Sequence, residues 1–248
     1  MALVHRYFAR RANVRIVAIT VDEGVAGYRP PTIEKAGRLA AQLNVEHRVV
    51  RARDELGVTT DEGTRRLTGV VPCSFCGVWR RKLLNSAAVD EQADVLVLGF
   101  NLDDLAQTVL MNLARGDLPH LVRMAPHRAR QPGLVPRVAP LAPIPEREVL
   151  LFARLRDLPF DHGECPHASL AARNVYREVV WQLEDAQPGT RHALLRTREK
   201  LVSLLADPEA VGAPGRCRSC GDPAAGTLCR SCEYLEGFHG RVMPTLGS

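Results

Sequence analysis

The chain is 248 residues long, with 33 basic and 28 acidic side chains and a formal net charge of +5. Apolar residues make up 46% and charged residues 25%, a balance that excludes a collagen, a coiled coil and a mostly disordered chain. This length can bury one large core plus a small appended module.

The first residues, MALVHRYFARR, place Leu3, Val4, Tyr7 and Phe8 on one helical face, so Ala2 to Arg11 reads as a short helix. The segment carries Arg but no apolar h-region, so it is not a signal peptide. Val14 to Val21 reads as a strand buried on both faces, ending in the polar turn Asp22-Glu23-Gly24. A helix is expected over Ile33 to Leu43 and a strand over Glu46 to Val50. A third buried strand is expected over Val95 to Phe100, with a helix behind it from Asp103 to Leu113. That apolar run falls far short of the roughly 20 residues that cross a bilayer, so no membrane partner and a cytoplasmic location are expected. Strands alternating with helices predict an α/β fold, a parallel sheet with helices on both faces.

Composition then shifts. Arg115 to Arg137 holds five Arg, two His and one acidic residue, Asp117. Such a stretch suits phosphate contacts that position a nucleic acid without reading its sequence, or simply a solvated loop. Of the 33 basic residues only Lys35, Lys82 and Lys200 are lysine. This fits codon bias, although Arg is also the better fork for phosphate. Helices are expected over Glu146 to Leu155, Ser169 to Glu184 and Arg191 to Leu205. The predicted organisation is an α/β domain over 1–210, a linker over 211–215, a Cys-rich module over 216–234 and a tail over 235–248.

With no export signal, the seven cysteines read as metal ligands or catalytic thiols rather than disulfides. Cys217, Cys220, Cys229 and Cys232 form two CxxC knuckles eight residues apart, and four thiolates in a tetrahedron suit Zn2+. The bland role is a closed structural ribbon. Cys73 and Cys76 form another CxxC, before a helix expected over Val78 to Val89 with Arg80, Arg81 and Lys82 in its first turns. Thiols there have lowered pKa values. Cys165 stands alone in Glu164-Cys165-Pro166. Spacing alone leaves three readings of these cysteines open: a redox dithiol, a second zinc site, or an iron–sulfur cluster with three protein thiolates.

Several strings stand together in order: VDEGVAGYR (21–29), PCSFCGVWRRKLLN (72–85), GFNLDDLAQTVLMNLARGD (99–117), ECPHAS (164–169) and PGTRHALL (188–195). With them the chain resembles the TtuA-like tRNA 2-thiolation enzymes, in the branch of archaeal and eukaryotic cytoplasmic tRNA 2-thiolation proteins. The resemblance covers nearly the whole chain. It implies an adenine-nucleotide α-hydrolase-like fold with an ATP pyrophosphatase-type site. Such enzymes adenylate the C2 carbonyl oxygen of a tRNA uridine and replace it by sulfur. The family's three cluster cysteines fall on Cys73, Cys76 and Cys165, holding a 4Fe–4S cluster, and its zinc ribbon falls on Cys217, Cys220, Cys229 and Cys232. Its catalytic acid falls on Asp104 and its basic residue on Arg80, with Cys73 and Cys165 also counted as catalytic. Asp22, Gly99 and Asp104 are the expected nucleotide contacts, with ATP and Mg2+ as cofactors. The implied partners are tRNA, a ubiquitin-like sulfur-carrier protein with a thiocarboxylate tail, and a second copy in a homodimer.

The chain departs from the family pattern in four places, the absence of the family's N-terminal zinc finger among them. No phosphate loop of the form SGGxDS occurs, and MALVHRYF looks like the helix that follows that loop. The α/β domain is therefore expected to lack its first strand and phosphate loop, which favours a coding region that begins upstream of Met1 over a loss of ATP turnover. Phe100 stands where the family usually has His, and Arg80 is a mild departure at a position shared by Lys and Arg. Each candidate also has an ordinary role: Asp104 or its twin Asp103 as a first-turn carboxylate on the helix dipole, Asp22 in a turn, Arg80 on a solvated helix face. The function read here is a tRNA-uridine 2-sulfurtransferase. The alternatives are an inactive homologue acting as a tRNA- or partner-binding module, or a thiol redox protein using Cys73 and Cys76.

Overall fold

The computed structural model describes residues 1–122, 124, 131–161, 163–205 and 215–240. Arg123, His127, Arg128 and Arg130 of the basic stretch, most of the 211–215 linker and the tail after 240 lie outside the described residues. The chain divides into two units, one of Met1–Gln92, Leu155–Leu170 and Gly215–Ser248, the other of Ala93–Arg154 and Ala171–Pro214.

The first unit opens with α1 (Ala2–Phe8). Strands β1 (Val17–Asp22) and β2 (Glu46–Arg51) then pair in parallel, in register from Val17↔Glu46 to Asp22↔Arg51. Between them runs α2 (Arg29–Gln42). It starts four residues before the expected Ile33, because Pro30 and Pro31 sit in its first turn, where a missing N–H costs nothing. Strand side chains alternate, so the two faces of the pair differ. Thr20 and His47 share one face, joined at 2.9 Å, and α2 lies over it with Gly37 against the His47 ring. Ile19, Val21 and Val50 form the other face, packed on Leu83 and Ala87. Helices therefore cover both faces, as expected of the class. The burial is lighter than expected, since only Val21 of β1 is fully buried.

Two short helices missing from the sequence reading follow, α3 (Ala52–Leu56) and α4 (Thr60–Arg66). Thr59 and Glu62 close a capping box at the start of α4. Then comes α5 (Pro72–Asp90). It was expected from Val78, but Pro72 starts it six residues earlier, so Cys73 and Cys76 lie inside its first turns. Phe75, Trp79 and Leu83, four apart, form its buried stripe. Gly63 of α4 allows the close approach, for a Cβ there would meet the Phe75 ring at 2.7 Å. The unit closes with a small hairpin, β5 (Gly215–Arg216) against β6 (Pro223–Ala224), and α11 (Arg230–Phe238).

In the second unit the expected strand Val95 to Phe100 is cut to β3 (Leu96–Val97), parallel to β4 (Arg137–Val138). Leu96 is buried, while Val95, Val97 and Phe100 are exposed, so one face of this run is covered rather than two. Behind it stands α6 (Leu102–Ala114), against which α7 (Leu118–Val122), α9 (Arg173–Ala186) and α10 (Thr190–Leu205) pack. The helix α8 (Glu146–Leu155) matches its expected bounds. The C-terminal carbonyls of α7, orphaned by the helix end, accept from Arg198, whose Nη2 lies 2.7 Å from the Met124 oxygen.

Candidate functional site

The strand-to-helix turn after β1 is built from its carboxylates. Asp22 accepts the Gly24 N–H at 2.9 Å, the turn role weighed for it. Its neighbour Glu23 is the buried one, 2% exposed. One carboxylate oxygen faces Arg29 Nε at 2.5 Å and the other accepts from Arg80 Nε. Arg29 also donates to the Val21 carbonyl. These groups border a cleft of about 220 Å³.

Arg80 links this turn to the cysteines, for its Nη2 lies 3.6 Å from Cys76 Sγ. Burial works against its charge, yet Glu23 and Cys76 outweigh it and raise the pKa further. Cys73 is exposed, Cys76 buried and Cys165 half-buried. Burial and the neighbouring Cys76 and Cys165 push the Cys73 thiol up, against the pull of Arg80, the reverse of the lowering expected for a thiol at a helix start. The three thiols thus share one locality although Cys165 is 89 residues from Cys76. Thiolates crowded this way each favour a cation to offset their mutual repulsion, so the residues fit a cluster with three protein ligands.

The Cys165 arm is fastened by groups that the sequence reading passed over. Cys73 Sγ approaches the His167 carbonyl at 4.0 Å. His167 Nε2 meets Asp61 Oδ1 at 2.8 Å, and Asp61 Oδ2 accepts the Ala26 N–H at 2.9 Å. The Thr60 N–H donates to the Glu23 carbonyl at 2.7 Å. One short helix start, Thr60–Asp61, thereby ties the Asp22–Ala26 turn to the cysteine arm. Lys35 pairs with Asp161 at the arm's other end.

Asp104 and Gly99 belong to the second unit. Asn101 Oδ1 accepts the Asp104 N–H at 2.9 Å, and Asp104 Oδ2 accepts the Asn101 N–H at 3.2 Å, a reciprocal cap. The Asp104 side chain remains 39% exposed, with Arg173 at 3.7 Å. Asp103 is buried, bonded to Arg191 Nη1 at 2.7 Å and to the Glu146 N–H at 2.7 Å. Of the twin carboxylates, Asp103 is the structural one and Asp104 the accessible one. Gly99 is exposed, with open space where a Cβ would stand.

The Sγ atoms of Cys217, Cys220, Cys229 and Cys232 lie within 4.8 Å of one another, the one such metal-binding group among the described residues. Burial alone would raise the Cys217 thiol, but surrounding N–H groups push it down to about 6, while burial raises Cys229 and Cys232. Four sulfurs this close cannot all ionise without a cation between them, which fits a tetrahedral divalent ion.

No protein-family model matches the chain. Individual relatives do. The tRNA 2-thiolation protein NcsA of Haloferax volcanii is 38% identical over 244 residues, covering 93% of this chain and 75% of that protein. The cytoplasmic tRNA 2-thiolation protein 1 of Bos taurus is 35% identical over 254 residues, covering 100% of this chain and 73% of that protein. Among solved structures, the U34-tRNA thiolase NcsA from Methanococcus maripaludis, with its 4Fe–4S cluster, matches at a TM-score of 0.83 and 33% identity, over 100% of this chain and 78% of that one. The α/β fold, the cysteine pattern and these relatives agree with the resemblance read from the sequence: the chain belongs to the tRNA 2-thiolation protein family.

Proposed function

We propose that this chain is a tRNA-uridine 2-sulfurtransferase. The observation that carries the reading is the convergence of Cys73, Cys76 and Cys165 beside Arg80, in a chain whose relatives are named for tRNA 2-thiolation. Oxygen replacement at a uridine carbonyl needs a leaving group. Attack of the C2 oxygen on the α-phosphorus of ATP expels pyrophosphate, and a sulfur nucleophile then displaces AMP from the carbon. Asp104, half-buried in the first turn of α6, is proposed to act on the nucleotide and uridine side together with Mg2+. Asp22 and Gly99 are proposed nucleotide contacts, Asp22 acting through the turn it shapes. Arg80 offers a fixed cation beside the sulfurs. When bound on Cys73, Cys76 and Cys165, a 4Fe–4S cluster supplies one iron without a protein thiolate, which can hold the incoming sulfur. Zn2+ on the four ribbon cysteines is structural. A sulfur-carrier protein with a thiocarboxylate tail and tRNA are the proposed partners, a homodimer the proposed assembly and the cytoplasm the proposed location. No described helix is long and apolar enough to cross a membrane.

The test is anaerobic reconstitution with iron and sulfide, followed by incubation with tRNA, ATP, Mg2+ and a sulfide source and mass analysis of the nucleosides. With the chain supplied with a phosphate loop of the family's SGGxDS form, ATP-dependent 2-thiouridine that disappears in Cys165→Ala is expected. Thiolation that persists in Cys165→Ala, or product formed without ATP, overturns the reading.

A further inference from the structure

The two cysteine centres of the first unit share one hydrophobic core. Phe75, Cys76 and Trp79 of α5 are buried together with Tyr234 and Phe238 of α11. The Tyr234 ring, 3% exposed, stands edge-on to Phe75 with centroids 6.1 Å apart, and Phe75 in turn meets Trp79 at 4.8 Å. Tyr234 follows the ribbon ligand Cys232 by two residues in the same helix, whose N-cap is the ligand Cys229. A second grip lies further along α5, where Lys82 donates to Asp222 in the knuckle beside Cys220.

We propose that the ribbon is the positioning element for the three-cysteine site: Tyr234 holds the first turns of α5, and so Cys76, in place, and the order of α11 depends on the ribbon's own ligand set. This inference rests on reading Cys73, Cys76 and Cys165 as a cluster site. Lys82 lies seven residues beyond Phe75, the residue that Tyr234 meets, about 10 Å along a helix. Two grips at that separation fix both the rotation and the slide of α5, which one contact cannot do. A ribbon without its full ligand set loses the folding that the metal supplies, and α11 then no longer covers Cys76. Filling the ribbon and keeping the cluster are therefore linked, as any binding event is linked to the state it favours.

The experiment uses the full chain and four variants: Tyr234→Ala, Tyr234→Phe as the conservative control, Lys82→Gln, and Cys229→Ser. Two readouts are taken besides zinc content. The first is the rate of Cys76 alkylation by iodoacetamide in iron-free protein, followed by mass spectrometry. The second is iron per chain and the electron paramagnetic resonance signal after anaerobic reconstitution and reduction. Tyr234→Ala is expected to keep its zinc and helical content while Cys76 reacts about tenfold faster, as in a locally opened segment, and iron per chain falls by about half or more. Tyr234→Phe, which keeps the ring, should behave as wild type. Cys229→Ser should expose Cys76 in the same way with Tyr234 intact, and Lys82→Gln more weakly. Wild-type Cys76 reactivity and iron content in both Tyr234→Ala and Cys229→Ser overturn the proposal, and if Tyr234→Ala does not fold, Cys229→Ser and Lys82→Gln decide it. If wild type takes up no iron yet Cys76 exposure still follows the ribbon variants, the positioning stands and the cluster reading fails.

Discussion

Asp61 and His167 meet at 2.8 Å across 106 residues of sequence, and the same carboxylate accepts the Ala26 N–H. One aspartate thus fixes the Cys165 arm against the turn that carries Glu23. Asp61→Ala removes both bonds and leaves a part-buried donor unmet, which costs about 1–3 kcal/mol. Faster alkylation of Cys165 and less iron per chain after reconstitution are expected. Unchanged Cys165 reactivity would show that the arm is held by its other contacts.

Glu23 sits between Arg29 and Arg80 with almost no exposure. Glu23→Gln keeps the shape and removes the charge, leaving two guanidinium groups facing each other. A loss of about 2–3 kcal/mol is expected, less than for a fully buried pair because Arg80 is half exposed. Arg80→Ala leaves Glu23 its Arg29 partner, so it should fold nearly as well as wild type and lose thiolation. Urea midpoints and the nucleoside assay separate the two effects.

Asp103 and Asp104 should trade effects. Asp103→Ala takes from Arg191 one of its two carboxylate partners, leaving Glu184 at 3.3 Å, and leaves the Glu146 N–H unmet, so it should cost about 1–3 kcal/mol. Asp104→Ala removes half of a reciprocal cap, worth about 1 kcal/mol, yet should abolish thiolation while keeping iron on the cysteines. An active Asp104→Ala protein removes the carboxylate from the proposed chemistry.

Glu184 supplies a pH dependence. Burial alone would raise its carboxyl, but the Arg191 and Gly189 N–H groups and the Arg191 guanidinium bring it from 4.5 down to about 2. A carboxyl with a depressed folded value stabilises the fold above its unfolded pKa, and that contribution fades as pH falls from about 4.5 through about 2. Solvent screening reduces it to about 1 kcal/mol at neutral pH. Denaturant midpoints of wild type and Glu184→Gln should therefore differ at pH 7 and converge toward pH 3. A gap that stays constant across that range assigns the effect to packing instead.

The pattern of strands and helices was legible because it rests on local periodicity. Glu146–Leu155 matches its expected bounds, and α6 and α10 fall within one residue of theirs at each end. The misses have local causes too. Pro30 and Pro72 read as interruptions before a helix, yet each lies in a first turn. Val95 to Phe100 is apolar enough for two covered faces, but whether a face is covered depends on neighbours far away in sequence. The four ribbon cysteines announced themselves by spacing, whereas Cys165 joined Cys73 and Cys76 only through the family resemblance. Glu23, Asp61 and His167 did neither, because a buried ion pair or a long-range hydrogen bond leaves no periodic trace. The adjacent Asp22 drew the attention that belonged to Glu23, and only its burial distinguishes the two.

The first unit is assembled from three separated stretches of chain, and this sets an order of events during synthesis. Cys73 and Cys76 leave the ribosome first, Cys165 follows Cys76 by 89 residues, and Phe238 follows it by 162. At typical translation speeds that last interval lasts roughly 10–30 s. For all that time Phe75, Cys76 and Trp79 lack the cover of Tyr234 and Phe238. On the proposed cluster reading, iron insertion is expected to follow the emergence of α11.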